Sequence, residues 1–300
     1  MPPIKLGDIS RFLCRTDDPD NFALRFNESE TTNCANAGAV ILNTFDDLEP
    51  DVLAALHAEY PQVYTISPLG SILCHHHTYD DDATGNDLTD LNLWKQDTEF
   101  VTWLDAQETG SVVYVNFGSH AVLTPEQMAE FAWGLAAAGY PFLWAVREGG
   151  VLAGLPPQFL SEVSDDRFRL TTWCAQERVL RHRAVGCFVT HNGWNSTCES
   201  IGAGVPMVCW PGFADQYTNS KYACEVWRVG ARLDDEVSRE QVCRRVREVM
   251  SGVEEGGGVR GSADMWKVKA EETVHAGGTS YDNLQRMVKA LNLRAATSTD

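Results

Sequence analysis

The 300-residue chain carries 24 Lys and Arg against 42 Asp and Glu, a formal net charge of -18, with 44% apolar residues. That apolar share supplies the core of one large or two modest domains. The acidity argues against a phosphate backbone or an anionic membrane as partner, so no nucleic-acid binding and no membrane insertion are expected. A phosphorylated ligand then has to be held by backbone N–H groups and a few placed side chains.

No run reaches the roughly 18 consecutive apolar residues of a spanning helix. The first ten residues have no apolar signal core, and the nine Cys are odd in number with no Cys-x-x-Cys pair. Reduced thiols in a cytoplasmic protein are the expectation.

In chain order, residues 39–43 read as a strand and 46–60 as a helix on Leu48, Val52, Leu53 and Leu56. Residues 63–66 form another strand, stopped by Ser67-Pro68. These elements have no evident partners and look like the end of a domain that begins upstream. Residues 70–95 have a linker composition, with His75-His76-His77, Asp80-Asp81-Asp82 and Gly85-Asn86. Consecutive His cannot readily face one ion, so no metal is expected there.

From residue 100 strands and helices alternate. A strand over 112–117 ends in Gly118-Ser119. A helix follows over 124–138, with Thr124 and Gln127 as a capping box, Pro125 at its first position and Gly139 as its stop. Strands are expected over 142–146, 168–172, 185–190, 205–210 and 229–233, and helices over 220–227, from Ser238, and over 261–275 and 280–291. Six strands so spaced imply a doubly wound parallel sheet with helices on both faces.

In such a sheet ligands bind beyond the carboxyl ends of the strands. One strand end reads Thr190-His191-Asn192-Gly193-Trp194-Asn195-Ser196-Thr197-Cys198-Glu199, a strand, a Gly and a helix start. This arrangement aims N–H groups at an anion, with His191 as a further hydrogen bond or charge and Glu199 as an acceptor for ribose hydroxyls. A capped helix with a fortuitous His is the plainer alternative. A second end, Trp173-Cys174-Ala175-Gln176, offers a flat ring and an amide; alternatively Trp173 is a core residue. A third, Asp215-Gln216, can grip vicinal hydroxyls or cap its helix. The chain has no Gly-x-Gly-x-x-Gly after a strand, no P-loop and no Gly-x-Ser-x-Gly motif, which disfavours dehydrogenases, ATPases and serine hydrolases.

Residues 173–216 resemble the signature box of plant secondary-product UDP-glycosyltransferases. Trp173-Cys174-Ala175-Gln176, Phe188-Val189-Thr190-His191, Gly193 to Thr197, Glu199, Gly204-Val205-Pro206-Met207 and Phe213 to Gln216 fall where that box expects them. Asn43 to Glu49, Ser111 to Ser119, Phe131 to Leu135 and Gly277 to Tyr281 are similar to the family too, and to the branch that glucosylates cyanohydrins, terpenoids and cytokinins. Asn192 stands where the family usually has Cys, and Ala175 where it usually has Pro.

The resemblance implies a GT-B fold of two Rossmann-like domains. Residues 1–70 would be the remnant of the acceptor domain, 71–95 a linker and 96–300 a complete UDP-sugar domain. It implies that Trp173 stacks on uracil, the Cys174 backbone meets the uracil edge, and Gln176 and Glu199 hold the ribose. Ser119, His191, Trp194, Asn195 and Ser196 would hold the diphosphate, and Asp215 and Gln216 the glucose. UDP-glucose would be a co-substrate, with no cofactor or metal, and a small hydroxylated metabolite the acceptor, glucosylated with inversion. The family's base, a histidine near its N-terminus, has no counterpart among the eight His here, so a truncated chain lacking its catalytic residue is the expectation. A non-catalytic UDP-sugar-binding or interaction protein is the alternative.

Overall fold

The computed structural model describes residues 3–9, 20–60, 62–72, 99–146, 155–164, 166–252 and 258–297. The expected linker over 71–95 and the His75–His77 run fall almost wholly outside these residues. Two compact units emerge, one of residues 1–86 with 267–300 and one of residues 87–266.

The larger unit is built on six parallel strands: β3 (Val112–Asn116), β4 (Phe142–Ala145), β5 (Phe168–Thr171), β6 (Val185–Thr190), β7 (Met207–Cys209) and β8 (Gly230–Arg232). Their spatial order is β5-β4-β3-β6-β7-β8. The chain therefore builds outward on one side of β3, then crosses back and builds outward on the other, which puts a topological switch point between β3 and β6. The central strands are apolar without alternation because both faces are covered: all six residues of β6 are buried.

The helix expected over 124–138 is α4 (Pro125–Ala138). The Thr124 hydroxyl accepts from Gln127 N at 3.2 Å, and the Gln127 side chain accepts from Thr124 N at 2.9 Å. Gly139 ends the helix at φ 95°, a conformation that favours glycine. Gly134 faces α9 (Arg239–Ser251) closely: a Cβ there would lie 2.6 Å from Val242 Cβ. Arg247 of α9 donates to the carbonyls of Ala137 and Ala138, satisfying the end of α4. Phe131, Trp144, Phe159, Val189 and Val246 lie in the core between these layers.

The smaller unit departs from the sequence reading. Strands β1 (Val40–Leu42) and β2 (Val63–Thr65) pair in parallel with each other. Their cover comes from the far end of the chain, α10 (Gly258–Val274) and α11 (Thr279–Thr297). Tyr64, Ile66 and Ile72 pack with Val274, Leu284 and Met287. Asn283 donates to the Thr65 carbonyl and hydroxyl at 3.1 and 2.7 Å, and the Ser280 and Thr273 hydroxyls donate to the Ser67 carbonyl. The expectation of partnerless strands is corrected by contacts 213 residues apart in sequence, and residues 267–300 group with the first unit instead of continuing the second. A helix not expected from sequence, α1 (Phe22–Cys34), has no buried residue and is opened by Asn21, which caps Ala23 N and Leu24 N.

Candidate functional site

Three loops leave the carboxyl ends of β3, β6 and β7, and a fourth follows β5. The first three each contain a residue at positive φ. After β3, Gly118 adopts φ 75°. After β6, Asn192 sits at φ 59° and is fully buried; asparagine tolerates this left-handed conformation better than most residues. After β7, Ala214 is held at φ 53°, a costly conformation for a residue with a Cβ, of the kind that clusters at ligand sites.

The β6 loop feeds α7 (Trp194–Ala203). Its N-cap is Gly193, which has no side chain with which to cap the first turn. The positive end of the helix therefore opens toward the switch-point crevice. The His191 ring lies between two glycines: a Cβ on Gly118 or on Gly193 would come within 2.6 Å of its Nε2. Two glycines 75 residues apart in sequence thus clear the space the imidazole fills. Burial lowers the His191 pKa to about 4, with the Asp215 carboxylate opposing the shift. The charge offered by the sequence reading is therefore absent at neutral pH, and His191 is a neutral ring with Nδ1 buried, a hydrogen bond with the Asn116 backbone only partly opposing the effect of burial.

The nucleoside side of the crevice is a continuous hydrogen-bond network. Gln176, at the start of α6 (Gln176–Leu180), donates to Ser196 Oγ at 2.9 Å and to Glu199 Oε2 at 2.7 Å. Its carbonyl accepts from Asn116 Nδ2 at 2.9 Å and from the Tyr114 hydroxyl at 3.4 Å. Tyr114 Oη also accepts from Asn116 at 2.9 Å and meets Cys174 Sγ at 3.3 Å. Gln176 is thereby saturated within the protein, which limits the direct ribose role expected of it: a bond must be exchanged before it can donate to a hydroxyl. Among the described residues, Glu199 Oε1 has no hydrogen-bond partner. Burial raises its pKa to about 7, against the lowering effect of the Gln176 hydrogen bond.

The third loop separates the two residues expected to act as a pair. Asp215 is exposed and does not cap its helix, α8 (Gln216–Lys221). Its carboxylate accepts from Asn219 Nδ2 at 2.8 Å, and the same amide donates to the Asn192 carbonyl at 2.9 Å. Gln216 is buried, and its Oε1 accepts from the N–H groups of Gly212 and Phe213 at 2.9 and 3.1 Å, so it braces the turn.

Among the remaining expected residues, Trp173 is half-buried beyond β5, Ser119 and Asn195 are exposed, and the Trp194 ring lies 6.1 Å from that of Trp227. Sequence reasoning missed Tyr114, Asn116 and Asn219. Asn116 was open to notice as a polar residue closing an apolar central strand, and Asn219 as a buried amide one helical turn after Asp215.

Among known proteins, a 7-deoxyloganetin glucosyltransferase of Gardenia jasminoides is 46% identical over 297 residues, covering 97% of this chain and 60% of its own length. An (R)-mandelonitrile beta-glucosyltransferase of Prunus dulcis is 44% identical, covering 98% of this chain and 60% of its own length. The chain thus spans about 60% of the length of these curated relatives. The crystal structure of Os79 from O. sativa in complex with UDP superposes with a TM-score of 0.82 at 31% identity, over 96% of this chain and 63% of that one. The architecture is accordingly α/β of the GT-B type. The family model described as UDP-glucoronosyl and UDP-glucosyl transferase matches residues 88–254, more than half of the 300 residues, and with the strand order and strand-end loops above, the chain belongs to that family.

Proposed function

We propose that this chain supplies the donor side of a UDP-glucosyltransferase that transfers glucose from UDP-glucose to a hydroxyl of a small plant metabolite, with inversion. The observation that carries the reading is the convergence at the β3–β6 switch point of the α7 start, the Gln176–Glu199 pair and the exposed Asp215. A dinucleotide-like ligand laid across this crevice meets them in the order of its parts. Trp173 and Cys174 face the base, Glu199 the ribose, the residues around His191 and Ser119 the diphosphate, and Asp215 the hexose. The names of the relatives support glucose as the sugar and small hydroxyl-bearing molecules as acceptors. A cytosolic setting belongs to the same reading, supported by seven described cysteines that form no disulfide; among the described residues no helix is long and apolar enough to cross a membrane.

The hexose assignment predicts a selective loss. Asp215→Ala removes a charge-assisted partner of the sugar hydroxyls, each such bond contributing about 1.5–3 kcal/mol. UDP-glucose affinity is expected to fall about 10- to 100-fold while UDP affinity stays nearly unchanged. Gln216→Ala, which loosens the Gly212–Phe213 turn, is expected to act in the same direction. Calorimetric titration with both ligands tests this; a parallel loss of both affinities would remove Asp215 from the sugar subsite.

A further inference from the structure

The nucleoside network has a direction, and its origin is a backbone group. The Gly118 N–H donates to Asn116 Oδ1 at 2.8 Å. An N–H can only donate, so the Asn116 amide has one stable orientation, with Nδ2 turned away toward Tyr114 and Gln176. Asn116 then presents a donor to Gln176, which must answer with its carbonyl. Gln176 is thereby obliged to aim both amide protons at Ser196 Oγ and Glu199 Oε2. Flipping either amide would set two NH2 groups, or two acceptors, against each other at under 3 Å. The order Gly118, Asn116, Gln176, Glu199 runs from the turn beyond β3 to the first turns of α7.

We propose that Asn116 is a positioning residue that fixes the donor–acceptor polarity of the ribose subsite, and ties it to the Gly118–Ser119 turn. It acts through Gln176 and touches no part of the ligand. The proposal rests on the donor-site reading above. With Asn116 in place, Glu199 Oε2 is occupied by Gln176, which leaves Oε1 as the acceptor for a ribose hydroxyl, in a carboxylate of fixed position. Without it, the Gln176 carbonyl loses its Nδ2 donor, the amide is held only through Ser196 and Glu199, and Glu199 loses a rigid anchor, so the pocket distinguishes a hydroxyl from a hydrogen at the ribose far less well.

The test is discrimination between UDP and 2′-deoxy-UDP by the full 300-residue chain, measured by calorimetry beside thermal melting. The wild type is expected to prefer UDP by about 10-fold, the effect of one charge-assisted hydrogen bond. In Asn116→Ala the preference is expected to fall to about 2-fold or less. Asn116→Asp keeps the shape and the acceptor for Gly118 N–H but loses both donors; it is expected to lose the preference as well, which keeps the test valid if the alanine variant does not fold. A folded variant of either kind that binds more weakly but retains the full UDP preference would overturn the proposal and leave Asn116 as scaffolding. Absence of UDP binding in the wild type would instead sink the donor-site reading on which the proposal rests.

Discussion

Replacing His191 with alanine is expected to lower UDP affinity by about 10- to 100-fold. The ring is packed between Gly118 and Gly193 at the start of α7, where a diphosphate would lie. In the unliganded protein it is neutral, because burial holds its pKa at about 4. A diphosphate placed against it reverses the balance by adding opposite charge, so the imidazole takes up a proton as the ligand binds. A charge-assisted hydrogen bond of this kind contributes about 1.5–3 kcal/mol, which is the stated factor. The mechanism leaves a second signature. Near pH 6 the binding enthalpy of the wild type should vary with buffer ionisation heat by more than that of His191→Ala, since the ligand's own ionisation is common to both. Equal affinities in the two proteins would take His191 out of the site.

The same residue and Glu199 impose opposite pH dependences on stability. The Glu199 carboxyl, raised from 4.5 to about 7, keeps in the native state a proton that the unfolded chain has lost. Its contribution is full below the unfolded value and declines as pH rises toward 7. His191, lowered from 6.5 to about 4, has shed a proton that the unfolded chain still holds. Its contribution is full above the unfolded value and is lost as pH falls toward 4. Each slope is about 1.4 kcal/mol per pH unit, so the two nearly cancel between about pH 5 and 6.5. Glu199→Gln should therefore become more stable with rising pH across this window, by up to about 2 kcal/mol. His191→Gln should become less stable by a similar amount. Urea unfolding at pH 5, 6 and 7 reads both; parallel profiles in the wild type and the two variants would contradict the paired assignment.

The sheet was legible in sequence because its signals are local. Val185–Thr190 is an unbroken apolar run of the kind only a strand covered on both faces needs, and Thr124, Pro125, Gln127 and Gly139 mark both ends of α4 within their own neighbourhoods. The strand-end loops were legible for the same reason, as polar clusters at the ends of apolar runs. What sequence did not reveal is set by contacts between distant segments. Asn283 reaching Thr65 joins residues 218 apart, and no local pattern marks that pairing. The space the His191 ring fills depends on Gly118, which lies on another strand's end. The saturation of Gln176 depends on Asn116, Ser196 and Glu199 together. Helix α1 was missed because it has no apolar stripe to report a buried face.

Hydrogen exchange of the 300-residue chain with and without UDP tests the central claim most directly, because it reports where the nucleotide sits. The account predicts protection concentrated in 116–119, 173–177 and 191–199, the segments that meet at the β3–β6 switch point. Saturating UDP that leaves these three segments unchanged, or protects a different set of strand ends, would contradict it.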